Sequence, residues 1–190
     1  MPRITATLCL QRFRAVLAAA AMILLAACAS TSHVPREPSP PPRQIAQAGT
    51  VAKGIANLAS ASGSLVSGRM LLVQANGGVR IRGQIGGLVR NGAHGLQVHE
   101  RGDCSAVDAR SAGRYFDPLA GARQDGAVGD TPGRIVAGPD GVATVDLTVP
   151  GAVLGGGADN DILGRSLLVL GATPGAISAR VACAVITATE

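Results

Sequence analysis

Val79-Arg80-Ile81-Arg82-Gly83-Gln84-Ile85 decides the fold class. Val79, Ile81, Gly83 and Ile85 fall on one side of an extended chain, and Arg80, Arg82 and Gln84 on the other. That period of two predicts a strand buried on one face. Directly upstream stands Asn76-Gly77-Gly78, a strong hairpin signal, and before it the run Val66–Gln74. Together they predict a β-hairpin. The same pattern recurs along the chain. Strands are expected at 50–58, 95–100, 134–137, 143–149, 167–170 and 179–187, separated by turns drawn from 26 glycines. No convincing amphipathic helix follows residue 49, and Leu154–Ile162, with Gly155-Gly156-Gly157, is expected to be a loop. Eight short strands predict an all-β sandwich or barrel in one domain, residues 49–190.

The segment before this domain has a different composition. Arg3, Arg12 and Arg14 precede an uncharged run, Ala15 to Ala27. The run is too short for a bilayer span, which needs about 20 residues. A basic start, a short apolar run and small residues at its end make an export signal over residues 1–27. The run closes on Leu25-Ala26-Ala27-Cys28, which resembles a bacterial lipobox and implies lipidation of Cys28. An ordinary signal cleaved near Ala29 is the alternative. Acyl chains on Cys28 anchor a protein to a membrane surface without a transmembrane helix. The residue directly after Cys28 is Ala29 and not an acidic one, so the expected address is the periplasmic side of the bacterial outer membrane. Residues 28–48 hold Pro35, Pro38, Pro40, Pro41 and Pro42 among polar residues and are expected to form a semi-rigid tether. His33 lies within it.

Composition narrows the function. The formal charge of +5 loses the three leader arginines, leaving +2 from Cys28 onward. Beyond the leader the only aromatic residues are Tyr115 and Phe116. Neither the charge nor the aromatics suit a nucleic-acid binder. Cys9 belongs to the leader and Cys28 to the lipid site. Cys104 and Cys183 remain, and in an exported chain such a pair reads as a disulfide. Two free thiols are the alternative.

Five collinear motifs resemble copper/zinc superoxide dismutases. They are Gly95-Leu96-Gln97-Val98-His99-Glu100-Arg101-Gly102-Asp103-Cys104, Ser111-Ala112-Gly113-Arg114-Tyr115-Phe116-Asp117-Pro118, Val128-Gly129-Asp130-Thr131-Pro132, Asp161 to Val169, and Ala179 to Ile186. The resemblance implies an eight-stranded Greek-key β-barrel. It also implies copper and zinc as the family's cofactors, Cys104 and Cys183 as the family's disulfide, and Arg180 as its anion-guiding arginine. His94 matches a structural histidine of the family.

The ligand positions depart from that pattern. Gln97 stands at the first copper histidine, Tyr115 at the histidine bridging the two metals, Ala127 at a zinc histidine and Leu170 at the last copper histidine. Only His99 and Asp130 keep ligand residues, and no histidine lies between Tyr115 and Asp130. The long charged loop that steers superoxide in the family is mostly missing between Gly171 and Arg180. Copper(II) favours several imidazole nitrogens, and zinc takes about four ligands in a tetrahedron, so no resident metal is expected.

The expected function is a superoxide-dismutase-like, catalytically inactive domain with a binding or structural role in the cell envelope. Its partners are the membrane, through the lipid, and a protein that the sequence does not name; a homodimer is left open. Two other readings stand beside it. One is a dismutase with an atypical or residual metal site. The other is a copper or haem carrier using His99.

Overall fold

The expected hairpin is the centre of one sheet. In the computed structural model, which describes residues 44–120, 133–171 and 179–189, β2 (Ser67–Ala75) pairs antiparallel with β3 (Gly78–Gly86) around a tight Asn76-Gly77 turn. Gly77 supplies the positive φ of that turn, 78°. Val79, Ile81 and Ile85 are buried while Arg80, Arg82 and Gln84 are exposed, as the alternation requires. Gly83 takes an inward position opposite Met70. A Cβ there would run into the Arg69 carbonyl and come within 2.6 Å of the Met70 methyl. The missing side chain is therefore the room that the fully buried Met70 occupies.

Seven more strands complete the architecture: β1 (Lys53–Ser60), β4 (Ala93–His99), β5 (Arg134–Val136), β6 (Ala143–Pro150), β7 (Ser166–Leu170), β8 (Arg180–Val185) and β9 (Thr187–Ala188). The order is β5-β4-β7-β8-β1-β2-β3-β6, with β9 beside β1, and every named pairing is antiparallel. One sheet is β1-β2-β3-β6 and the other β5-β4-β7-β8. The end of β1 crosses to β8 through Ala59↔Cys183 and Ser60↔Ala182, which makes the two sheets continuous. β5 and β6, at the two ends of the path, are joined by a turn in which the Gly138 amide donates to the Val142 carbonyl, 2.8 Å. The result is a nearly closed Greek-key barrel. Among the described residues the one helical element is a 3-10 turn, Arg110–Ala112.

The interior is aliphatic. Leu72, Ile81, Ile85, Leu167, Val169 and Ile186 are all fully buried, and each such side chain contributes about 1.5–3 kcal/mol of hydrophobic stabilisation. A smaller cluster lies apart from this core: Ala61, Ala109, Ala112, Leu168 and Cys183, with Cys104 packed against it. It sits under the loop that the Cys104–Cys183 disulfide closes, across 79 residues of sequence.

Two expectations of strand extent need correction. The segment 179–187 is not one strand: Ile186 gives its amide to the Arg165 carbonyl and accepts from the Gly164 amide. That interrupts the ladder and separates β8, in the second sheet, from β9, beside β1. β1 runs from Lys53 to Ser60, later than the 50–58 expected. Thr50 and Val51 instead bond the carbonyls of Gly155 and Leu154. Leu154–Ile162 is a loop, as expected, but its ends are buried. Asn160, fully buried, donates to the carbonyls of Ala46 and Gly151 and accepts from the Ala46 amide. Asp159 and Gln44 exchange a further pair of hydrogen bonds.

Candidate functional site

β4 carries the site because a strand points successive side chains to opposite faces. His94, Leu96 and Val98 share one side of β4, and Gln97 and His99 the other. The register places Gln97 opposite Leu168, and His99 opposite Ser166, on β7. Gln97 and His99 therefore share a face with Leu168, outside the main core and beneath the disulfide loop. The chain after that loop returns along β4: Glu100 N–H donates to the Arg114 carbonyl, Phe116 N–H donates to the Val98 carbonyl, and Tyr115 forms a β-bridge with His99. Gln97, His99 and Tyr115 are thus brought together. Leu170 lies farther along β7, opposite Gly95, where a Cβ would come within 3.2 Å of the Leu170 side chain. Ala127, Asp130, Cys28 and His33 lie outside the described residues.

His99 is 4% exposed. Its Nδ1 lies 3.1 Å from the Gly113 carbonyl. A carbonyl only accepts, so Nδ1 carries the proton and Nε2 of the neutral ring holds a lone pair. That Nε2 is buried and has no hydrogen-bond partner among the described residues. Burial pushes the imidazole pKa below its ordinary value; the positive charge of Arg180 adds to this, and the Gly113 hydrogen bond opposes it.

Arg180 donates through Nη1 to the Ala109 carbonyl and through Nη2 to the same Gly113 carbonyl, both at 2.6 Å. These two carbonyls bracket the 3-10 turn, where Ala109 (φ 53°) and Gly113 (φ 78°) leave ordinary backbone space. Arg180 thus clamps the disulfide loop onto the sheet through two backbone carbonyls. His94 bonds the Leu170 carbonyl through Nδ1, 3.0 Å, while its buried Nε2 has no partner among the described residues. It is a half-satisfied structural histidine.

Gln97 and Tyr115 also line a cleft of about 20 Å³ with Leu96, Phe116, Thr148 and Val149. That is room for about one water molecule. No group of three or more His, Cys, Asp or Glu that could hold a metal occurs among the described residues. The donor set at Gln97, His99, Tyr115 and Leu170 offers one imidazole, and this does not fit a copper ion that needs several.

Two contacts beside the site had no sequence signal. Arg165 stacks over Phe116, 3.6 Å from the ring centroid, and donates to the carbonyls of Asp161 and Glu100. It ties the loop before β7 to the end of β4. Asn160 carries no such signal because a buried loop asparagine belongs to no periodic pattern.

The buried imidazole has a measurable consequence. The folded ring binds its proton less tightly than the unfolded one. As pH falls below about 6.5, the unfolded chain is protonated first, and stability declines until the lower folded-state pKa is passed. His99→Gln removes this contribution. Denaturant unfolding near neutral pH and near pH 5 is expected to show a smaller acid loss for the variant than for the parent. Equal losses would mean that another group titrates.

The arrangement defines a class: an antiparallel Greek-key barrel with a buried imidazole and an arginine on one carbonyl, under a disulfide-closed loop. Residues 66–186 match the family described as copper/zinc superoxide dismutase (SODC). The chain is 37% identical to Superoxide dismutase [Cu-Zn] 2 of Mesembryanthemum crystallinum over 139 residues, 64% of this chain and 86% of that protein. It is 34% identical to Superoxide dismutase [Cu-Zn] 2 of Brassica juncea over 152 residues, 70% of this chain and 96% of that one. Extracellular superoxide dismutase [Cu-Zn] of Brugia pahangi is 38% identical over 123 residues, 62% of this chain and 59% of that protein. The chain belongs to the copper/zinc superoxide dismutase family.

Proposed function

We propose that the protein is a non-catalytic superoxide-dismutase-like domain, exported and lipid-anchored at Cys28 on the periplasmic side of a bacterial outer membrane, with a binding or structural role toward an envelope protein. One observation carries the reading. At the positions that resemble the family's copper site, Gln97, Tyr115 and Leu170 replace imidazoles, and Arg180 is engaged with two backbone carbonyls. Dismutation needs a metal that cycles between oxidation states, and one imidazole is too few to hold copper there. Export is supported by the leader pattern ending at Cys28 and by the likeness to a relative named as extracellular.

The purified protein is expected to carry far less than one copper or zinc per chain and to dismutate superoxide no faster than buffer. Copper at one equivalent that survives dialysis against a chelator would overturn the non-catalytic reading in favour of an atypical dismutase. The unpartnered Nε2 of His99 favours a carrier as the second reading, since a buried lone pair is a ligand for copper or haem iron. A Soret band on haem addition, lost in His99→Gln, would establish it.

The anchor is tested separately. Cys28→Ala is expected to release the protein from membranes or leave it as unprocessed precursor. Normal processing with unchanged membrane fractionation would refute lipidation.

A further inference from the structure

The outer face of the β1-β2-β3-β6 sheet is a grid fixed by strand register. Lys53, Val73, Arg80 and Thr148 form one row; Ile55, Leu71, Arg82 and Asp146 the next; Asn57, Arg69, Gln84 and Thr144 the third. Four of these twelve positions are cations and one is an anion. Asp146 is shared, 2.7 Å from Arg80 and 3.4 Å from Arg82. Lys53 and Arg69 have no ion-pair partner among the described residues, and the twelve positions together carry an excess of three positive charges. Between the cations runs an apolar strip of Ile55, Leu71 and Val73, in which Leu71 is 44% exposed. The whole of the mature chain has a net charge of only +2. The positive charge of this face is therefore local.

We propose that this face docks on an anionic phospholipid surface. The phosphates would meet Lys53, Arg69, Arg80 and Arg82, and the Ile55–Leu71–Val73 strip would meet the interface between headgroup and acyl chain. Charge complementarity argues for lipid over a second copy of the same face, which would bring like charges together. The position in the chain agrees: Lys53 follows Cys28 by only 25 residues. Only this proximity rests on the lipid-anchor reading. The electrostatics are those of any flat basic patch near anionic headgroups, where each Lys or Arg strengthens binding about fivefold.

The test uses the full mature chain carrying Cys28→Ala, so that no anchor contributes and failure of the anchor reading is a separate result. Co-sedimentation is measured with phosphatidylcholine vesicles, with and without phosphatidylglycerol. Binding is expected only with phosphatidylglycerol. It should fall steeply from about 0.1 M to about 1 M salt, as the screening length shrinks from about 10 to about 3 Å. Arg69→Glu with Arg82→Glu should weaken it by at least about 25-fold, and the milder Arg69→Gln with Arg82→Gln by less. Arg114→Glu with Arg134→Glu, which removes the same charge away from this face, should leave it nearly unchanged. Three results overturn the proposal. One is no binding, or equal binding to neutral vesicles. Another is an equal loss in the Arg114/Arg134 variant, which would reduce the effect to net charge. The third is a dimer in sedimentation that the Arg69/Arg82 variant abolishes, which would give the face to a second copy.

Discussion

Reducing the Cys104–Cys183 bridge, or replacing both cysteines by serine, lowers stability by about 2–5 kcal/mol. The bridge closes a loop of about 80 residues, for which the chain-entropy account gives about 4.5 kcal/mol. A typical domain has only about 5–15 kcal/mol in total. The share is large here because the donor set that would let a metal stabilise the fold by mass action is incomplete. Copper or zinc is therefore not expected to restore the loss. The effect should be local at first: Leu168, Ala109 and Ala112 pack with Cys183 in a small cluster that the bridge holds down. Thermal unfolding with and without reductant, each with and without metal, measures this. A melting temperature indifferent to reductant but raised by zinc would contradict both the weight given to the bridge and the misfit of the donor set.

Arg180→Met is expected to cost about 2–4 kcal/mol: a hydrogen bond from a charged donor contributes about 1.5–3 kcal/mol, the Ala109 carbonyl loses its donor altogether, and the Gly113 carbonyl keeps only His99 Nδ1. Those carbonyls, of Ala109 and Gly113, stand at the ends of the 3-10 turn. Loss of the clamp should expose the disulfide: the variant's bridge should be reduced by a mild thiol faster than the parent's. His99 also loses a positive neighbour, so its imidazole pKa should rise toward the ordinary value. A residue kept only to guide an anion would leave both stability and reduction rate unchanged when substituted. That outcome would sink the clamp.

What could be read before folding divides along physical lines. The β2–β3 hairpin was legible because one face is wet and the other dry, so the chemistry of the residues alternates with the geometry. The β8–β9 break was not. Residues 181–186 are apolar except for Cys183, and the interruption at Ile186 comes from its pairing with Gly164 and Arg165, some 20 residues away. At the site, motif order alone brought Gln97, His99, Tyr115 and Arg180 together. It did not disclose that His99 and Arg180 share one carbonyl, since that depends on the positive-φ backbone at Gly113. The basic sheet face was half visible. The alternation alone turns Arg80 and Arg82 outward, but their grouping with Arg69 and Lys53 is a matter of register between strands.

The clasp around Asn160 gives the N-terminal segment a mechanical meaning. Gln44 and Ala46 each exchange two hydrogen bonds with Asp159 and Asn160, and Thr50 and Val51 add one each to Gly155 and Leu154. A pull on the chain ahead of Gln44 does not reach β1 directly. The load enters first at residues 154–160, and those bonds share it before the pairing of β1 with β2 and β8 feels any tension. A barrel fastened in this way resists a pull on the chain ahead of Gln44 before its first strand carries the load.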